Sequence, residues 1–350
     1  MNSKSLDLNS RRYGGCTLTG ALSVTTQITD AVTVIHGPAG CSHHNTSLLH
    51  AVGLEQGDFT LPRIVSSNMS EQDIIFGGEG TLERAIDTAM EQDPGAICVL
   101  TSCVSETIGD DAALVCSRER GVPVVHIPTG GFLGGTFDSG LVRALQVLGA
   151  STTSRFAIEG TATIIGEKNL EYEVEEHFAE VSRILTSMDI DIRLRFIREI
   201  ETADLARLGE GTVNILRDPA LAPVGEELHR RFQTPFIPGF PVGRSGTRSF
   251  IRGVARWCGC DPTDALREEE GRFEEVMGEF DDLRGMAVWP EGGVRGEEHP
   301  ASVALLDELA DDLSIRIAPG GVPVPCPIPA PVGPAGLRRL LHRWRRSVHA

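Results

Sequence analysis

The chain has 350 residues, 41% of them hydrophobic, and a formal net charge of −17. That length exceeds one comfortable core and predicts two or three domains. The acidity excludes a general nucleic-acid binder, which needs clustered Lys and Arg, and no apolar run approaches the roughly 20 residues of a membrane span.

The polar first fifteen residues carry no apolar export core, so a cytoplasmic protein without membrane partners is expected. In chain order, Ala31–Ile35 is a β-branched strand ending in the turn His36-Gly37-Pro38. Arg63–Ser67 reads as a second strand, and Gly80–Gln92 has helical apolar spacing at Leu82, Ala85, Ile86 and Ala89. The strand Ala96–Leu100, a helix over Ser105–Arg120, the strand Pro123–Ile127 and a helix over Ser139–Leu148 close a first unit. A second unit runs from the strand Ala162–Gly166 through a helix near Tyr172–Met188, a strand near Ile190–Phe196, and a helix near Thr202–Leu208. It continues with the strand Thr212–Leu216, a helix near Val224–Phe232 and a helix over Ser249–Cys258. An acidic helix near Thr263–Leu283 leads to a third unit. That unit has the strand Met286–Trp289, the loop Pro290–Pro300, the helix Ala301–Leu313 and the strand Ser314–Ile317. Seven prolines between Pro319 and Pro334 predict an extended segment before a basic helix, Ala335–Val348.

Strand–helix alternation predicts an α/β protein of Rossmann-like parallel-sheet domains, with ligands at the carboxyl ends of the strands. The expected division is residues 1–155, 156–284 and a shortened third α/β domain over 285–350. No short sequence repeat is evident, and the likeness among units is architectural.

Eight cysteines in a cytoplasmic-type chain are not a disulfide framework. Cys98 lies in an apolar run, Cys116 on a predicted helix and Cys326 among prolines; Cys258 and Cys260 form a C-x-C without a second Cys/His pair to complete a zinc site. Cys16, Cys41 and Cys103 differ, each standing at a Gly- or Ser-flanked turn beside an apolar run. Glycines 14, 15, 20, 37 and 40 and the Gly109-Asp110-Asp111 elbow permit the tight loops that an iron–sulfur cluster needs. Cys103 also falls just ahead of a helix start, where the dipole favours thiolate. The spacing alone leaves three buried loop cysteines as an equal reading. His36, His43 and His44 beside Cys41 keep a Cys/His zinc site and a Cys–His nucleophile open. A lone histidine after a strand also serves as a turn residue, donating to a backbone carbonyl.

The loop Gly239–Gly246 opens a helix and offers an anion cradle with Arg244, or a plain helix entry; it lacks the Lys-Ser/Thr ending of a P-loop. Gly130–Gly135 is a flexible loop at a strand's carboxyl edge, and Arg338, Arg339, Arg343, Arg345 and Arg346 predict a solvated basic helix face.

Taken together, Cys16–Ala21, His36–Cys41 and Ser102–Asp111 resemble, in order and spacing, the nitrogenase component 1 family. That family includes the nitrogenase subunits and cofactor scaffold, dark-operative protochlorophyllide reductase and the nickel-tetrapyrrole reductive cyclase. The likeness is strong over residues 11–150, fair over 160–285 as a second Rossmann-like domain, and weak afterwards. It implies a [4Fe-4S] cluster at a subunit interface, held by Cys16, Cys41 and Cys103, with a fourth ligand from a partner or another residue. It further implies a homodimer or a heterodimer with a component 1-like subunit. Electrons would come from a separate ATP-hydrolysing reductase resembling nitrogenase iron protein, with ATP bound there and not here. Arg217 stands near the position where nitrogenase catalytic subunits carry a cofactor cysteine, and no counterpart of the cofactor histidine is found. The resemblance therefore implies a reductase of an unsaturated organic substrate, a tetrapyrrole being one candidate, rather than of dinitrogen. A non-catalytic scaffold for a metal cluster is the alternative, and a third is a cluster-bearing sensor or structural subunit. The resemblance assigns no catalytic residue.

Overall fold

Every strand pairing among the described residues is parallel, in three sheets ordered β2-β1-β3-β4, β6-β5-β7-β8 and β10-β9-β11. The computed structural model describes residues 15–55, 57, 59–132, 134–152, 156–171, 173–291, 300–326 and 329–349. Gly14, Tyr172, Leu133 and most of the predicted 290–300 loop lie outside them. Parallel strands need crossovers, and helices supply them, so both sheet faces are covered and the central strands read as continuous apolar runs. Strand β1 (Ala31–His36) and β3 (Ala96–Thr101) are buried at every residue.

The first unit begins with α1 (Thr17–Thr25), before β1, and α2 (Ala39–Glu55) follows it. Neither helix is anticipated by apolar spacing. Helix α1 is buried on all sides, whereas the inward face of α2 carries the polar Asn45 between Cys41 and Leu49, so neither sequence shows an apolar face set against a polar one. Then come β2 (Ile64–Ser66), α3 (Glu71–Phe76), α4 (Glu79–Met90) and β3. The single helix expected over 105–120 is two short ones, α5 (Cys103–Ile108) and α6 (Ala112–Cys116). Gly109 adopts left-handed φ +83° and ends α5, and Asp111 caps α6 through Leu114 N–H at 2.9 Å. Strand β4 (Val124–Pro128) and α7 (Phe137–Ala150) complete the unit. Helices α1 and α7 touch through glycines. A Cβ on Gly20 would meet the Phe137 carbonyl oxygen at 1.9 Å, and one on Gly140 the Thr17 carbonyl oxygen at the same distance.

The second unit has β5 (Ile158–Ile165), α8 (Val174–Thr186), β6 (Asp191–Phe196), β7 (Gly211–Leu216), α9 (Ala222–Phe232), β8 (Phe236–Ile237), α10 (Gly243–Cys258) and α11 (Thr263–Gly278). The helix expected near 202–208 is a 3-10 helix, Thr202–Gly209. The third unit has β9 (Ala287–Glu291), α12 (Pro300–Asp312), β10 (Arg316–Ile317), β11 (Val322–Pro325) and α13 (Gly333–Val348).

One apolar core runs from the first sheet (Ile35, Leu100) through Leu22 of α1 and Leu145 of α7 to Phe196, Leu216 and Leu228 of the second unit. Burying each such side chain contributes about 1.5–3 kcal/mol. The third sheet closes a separate core around Trp344, whose indole N–H donates to the Pro325 carbonyl at 2.7 Å.

The second and third units share a sequence as well as a shape. Pro241-Val-Gly-Arg-Ser-Gly246 opens α10, and Pro331-Val-Gly-Pro-Ala-Gly336 opens α13. Val242 and Val332 form an antiparallel bridge, and Gly243 and Gly333 adopt φ +66° and +62°. Each helix start is met by a carboxylate of the other unit. Glu308 of α12 accepts from the Arg244 and Ser245 N–H groups at 2.8 and 2.9 Å, and Glu180 of α8 from Ala335 N–H at 3.4 Å. This six-residue repeat escapes a search for a fixed period because it occurs only twice, 90 residues apart.

Candidate functional site

The three cysteines stand at three helix starts rather than on free loops. Cys16 is the N-cap of α1, Cys41 lies in the first turn of α2, and Cys103 is the first residue of α5, capped by Ser102. Helices α2 and α5 follow β1 and β3, so two of the thiols sit at the carboxyl edge of the first sheet, where open α/β sheets gather ligands.

Neighbouring residues link the three. The Thr19 hydroxyl donates to Asn45 Oδ1 at 2.7 Å, and Asn45 Nδ2 donates to the Cys41 carbonyl at 2.7 Å. With its one proton spent on Asn45, Thr19 Oγ1 accepts from the Cys16 thiol, 3.7 Å away. Gly131 N–H donates to Cys103 Sγ at 3.1 Å, and a Cβ on Gly131 would meet Thr17 Oγ1 at 2.7 Å, next to Cys16. Cys16 is exposed and the other two are half-buried.

Burial raises the pKa of the Cys41 thiol, and the nearby Cys16 and Cys103 thiols raise it further. A positive centre nearby would reverse that penalty on Cys41. Among the described residues no three ligand side chains converge tightly enough for one ion. Burial instead pushes Cys98 up to about 12 and Cys116 and Cys326 to about 11, as expected of inert core thiols.

His36 is fully buried behind this edge. It does not donate to a backbone carbonyl, as expected of a turn histidine. Its Nε2 lies 2.9 Å from Asp110 Oδ2, and its Nδ1 lies 3.1 Å from Ser67 Oγ. A carboxylate only accepts, so the ring proton is assigned to Nε2, and Nδ1 accepts from Ser67. Asp110 also accepts from Gly78 N–H at 2.9 Å. Burial lowers the His36 pKa more than Asp110 raises it, so the ring is a neutral strut for the Gly-Asp-Asp elbow. His43 and His44 are exposed on α2.

The carboxyl edge of the second sheet is filled. Arg217, after β7, is 4% exposed, pairs with Glu171, and lies 3.0 Å from His177 Nδ1 and 4.9 Å from the Phe240 ring centre. Arg195 bonds Glu167 and Glu175 at 2.8–3.1 Å, and Arg198 bonds Glu175 at 3.0 Å. Helix α13 adds Arg339 and Arg343, both bonded to Glu173. The expected solvated arginine face is therefore largely paired within the chain, Arg338 with Glu275 and Glu279, and Arg345 with Asp282. Of the two readings of Gly239–Gly246, the structure shows a helix entry whose N–H groups are taken by Glu308, while Arg244 bonds Glu270 at 3.0 Å.

Thr19 and Asn45 escape a search for Cys, His and carboxylate ligands, and Glu106 is passed over because its carboxylate stands apart from the cysteines in residue type. Their positions hold the signal: each lies three or four residues beyond a cysteine, one helical turn away.

Residues 16–289 match the family described as nitrogenase component 1 type oxidoreductase. The chain is 25% identical over 284 residues to the nitrogenase iron-molybdenum cofactor biosynthesis protein NifE of Clostridium pasteurianum, covering 77% of this chain and 60% of that protein. It is 29% identical over 275 residues to a light-independent protochlorophyllide reductase polypeptide of a Bradyrhizobium species, covering 75% and 52%. It is 27% identical over 331 residues to the nitrogenase molybdenum-iron protein alpha chain of Methanothermobacter marburgensis, covering 87% and 67%. The chain thus spans between half and two thirds of the length of these relatives. A solved chain described as nitrogenase Cp1 at pH 6.5 superposes with a TM-score of 0.74 at 17% identity, covering 95% of this chain and 92% of that one. At that identity the likeness speaks for the fold.

Proposed function

The chain belongs to the nitrogenase component 1 type oxidoreductase family, and from that premise we propose that Cys16, Cys41 and Cys103 hold a [4Fe-4S] cluster through which it relays electrons. The observation that carries this reading is the junction of three thiols at three helix starts, tied by Thr19–Asn45 and by Gly131. Such a cluster, when bound, takes up and gives off single electrons. The protein supplies the rest. Helix starts present the sulfurs, the Gly131 N–H donates to one of them, and Cys16 is left open toward a partner. Exposed Ile75, Phe76 and Phe132 in the same unit suit burial against a second subunit, a copy of this chain or a component 1-like relative, which would supply a fourth ligand. Electrons would come from an ATP-dependent reductase resembling nitrogenase iron protein. The substrate would be an unsaturated organic molecule, and the protochlorophyllide reductase relative favours a tetrapyrrole. Dinitrogen reduction is not part of this reading, because the second sheet's edge holds paired side chains where a large cofactor would need room.

A scaffold on which a metal cluster is assembled or transferred is the second reading, favoured by likeness to NifE. Anaerobic purification decides the common part. The protein should be brown with about four irons per cluster, and Cys41→Ser should lose most of that iron. A colourless protein carrying one zinc would overturn it. Turnover that needs both reductase and ATP marks a catalyst, whereas transfer of the cluster to an acceptor without turnover marks a scaffold.

A further inference from the structure

We propose that Glu106 is a positioning residue for Cys103, holding the Gly130–Gly131 turn so that the Gly131 N–H donates to the cysteine sulfur. The proposal rests on the cluster reading only for its electrochemical consequence. Glu106 lies one turn of α5 beyond Cys103, and its Oε1 accepts two hydrogen bonds. One comes from the Thr101 hydroxyl at 2.7 Å and the other from Gly130 N–H at 2.8 Å. Thr101 ends β3, so the carboxylate is anchored to the sheet before it reaches the loop. The next peptide N–H along the chain, that of Gly131, is the one 3.1 Å from Cys103 Sγ. The loop rests directly on the carboxylate, since a Cβ on Gly130 would meet Glu106 Oε2 at 2.1 Å. On the entry side the Thr129 hydroxyl donates to the Thr101 carbonyl, and beyond the turn Gly134 and Gly135 N–H donate to the Gly131 carbonyl. Besides the Gly131–Cys103 bond itself, Glu106 is the contact among these that ties the two-glycine turn to the helix carrying Cys103.

An N–H aimed at a thiolate sulfur stabilises negative charge there, and hydrogen bonds to the sulfurs help set a cluster's potential. A reduced cluster is more negative than an oxidised one, so this bond raises the reduction potential. The negative charge of Glu106 acts in the opposite direction. Two substitutions separate the effects. Glu106→Gln removes the charge and keeps an oxygen acceptor for Thr101 and Gly130, whereas Glu106→Ala removes both.

The experiment measures amide hydrogen exchange of the peptide containing Gly131, with and without the cluster, together with the midpoint potential by dithionite titration followed by electron paramagnetic resonance. Exchange at Gly131 should be about tenfold faster in Glu106→Ala and near wild type in Glu106→Gln, in cluster-free protein as in loaded protein. The midpoint should be more negative in the Ala variant than in the Gln variant, since both lack the charge. Thr101→Val, which removes the hydroxyl anchor and keeps the shape, should move exchange in the same direction by less and stands in if the Ala variant folds poorly. Equal exchange and equal midpoints in the Ala and Gln variants would overturn the proposal. A wild-type protein without iron would instead overturn the cluster reading, and the exchange result would still decide the role of Glu106.

Discussion

The carboxyl edges of the first and second sheets occupy the same place in the same architecture, yet one is left open and the other is closed. At the first, the three thiols are half-buried or exposed; Thr19 and Gly131 bond the sulfurs of Cys16 and Cys103, and Asn45 bonds the Cys41 carbonyl, so no charged partner neutralises them. At the second, Glu167, Glu171, Glu173 and Glu175 meet Arg195, Arg198, Arg217, Arg339 and Arg343, so charge is satisfied within the chain. Each edge also buries a histidine with an opposite kind of partner, Asp110 for His36 and Arg217 for His177. The same topology therefore leaves three cysteines at an open edge in one unit and forms a domain joint in the other. The side chains at the strand ends decide which.

The widest separation should come from cysteine substitution. Cys41→Ser is expected to lose most of the bound iron, while Cys258→Ser, in the second unit, should leave iron content unchanged; equal losses would erase the contrast between the edges. Arg217→Ala tests the closed edge from its own side. It removes the guanidinium that bonds Glu171 and His177, and a broken buried pair costs about 3–5 kcal/mol. Urea unfolding should register that loss, with iron per folded protein unaltered. A stable Arg217→Ala protein would mean that the second edge is not held by its charges.

Acid sharpens the comparison further. Burial drives the His177 pKa down to about 3, with Arg217 and Arg339 adding to the effect. Arg217 donates to Nδ1, so the native ring is neutral. The unfolded ring titrates near 6.5. The folded state therefore binds fewer protons below that pH, and the stability present above 6.5 is lost as pH falls toward 3. Between pH 7 and pH 5 this amounts to about 2 kcal/mol. His177→Gln should flatten that part of the stability–pH profile. The same slope in variant and wild type would assign the acid sensitivity elsewhere, His36 being next, since burial lowers its pKa as well.

How much of this was legible in the sequence depends on the kind of signal. Central strands such as β1 and β3 announce themselves because burial on both faces makes them continuous apolar runs. The three cysteines stand out as candidates through their flanking residues. Helices α1 and α2 were not legible, since one is buried all round and the inward face of the other mixes Asn45 with Cys41 and Leu49, so neither sequence leaves a 3.6-residue apolar stripe. The expected helix over 105–120 failed at Gly109, whose left-handed φ splits it and turns the Gly-Asp-Asp elbow toward His36. The arginines of α13 read as a solvated face because their partners, Glu173, Glu275 and Asp282, lie 60 or more residues away in the chain. Pairing over that distance leaves no local pattern.

The smallest expected effect concerns how the second edge is kept closed. Helix α13, which brings Arg339 and Arg343 to Glu173, is seated beside α10 by the Val242–Val332 bridge and by Gly333 N–H donating to the Pro241 carbonyl at 2.9 Å. The start of α10 is in turn held by Glu308, which accepts from two of its backbone N–H groups. A side-chain acceptor at a helix start is worth about 1 kcal/mol, and a negative charge there adds a few tenths. Glu308→Ala should therefore lower the urea midpoint by about that amount without changing the m-value. The iron content of the first edge should not respond. Sulfate or phosphate should restore part of the loss in the variant and little in the wild type, because the vacated N–H groups favour an anion. A variant as stable as wild type, and indifferent to sulfate, would show that the shared Pro-Val-Gly turns seat the two helices without their carboxylates. The reciprocal caps would then be a consequence of the joint between the two units and not one of its causes.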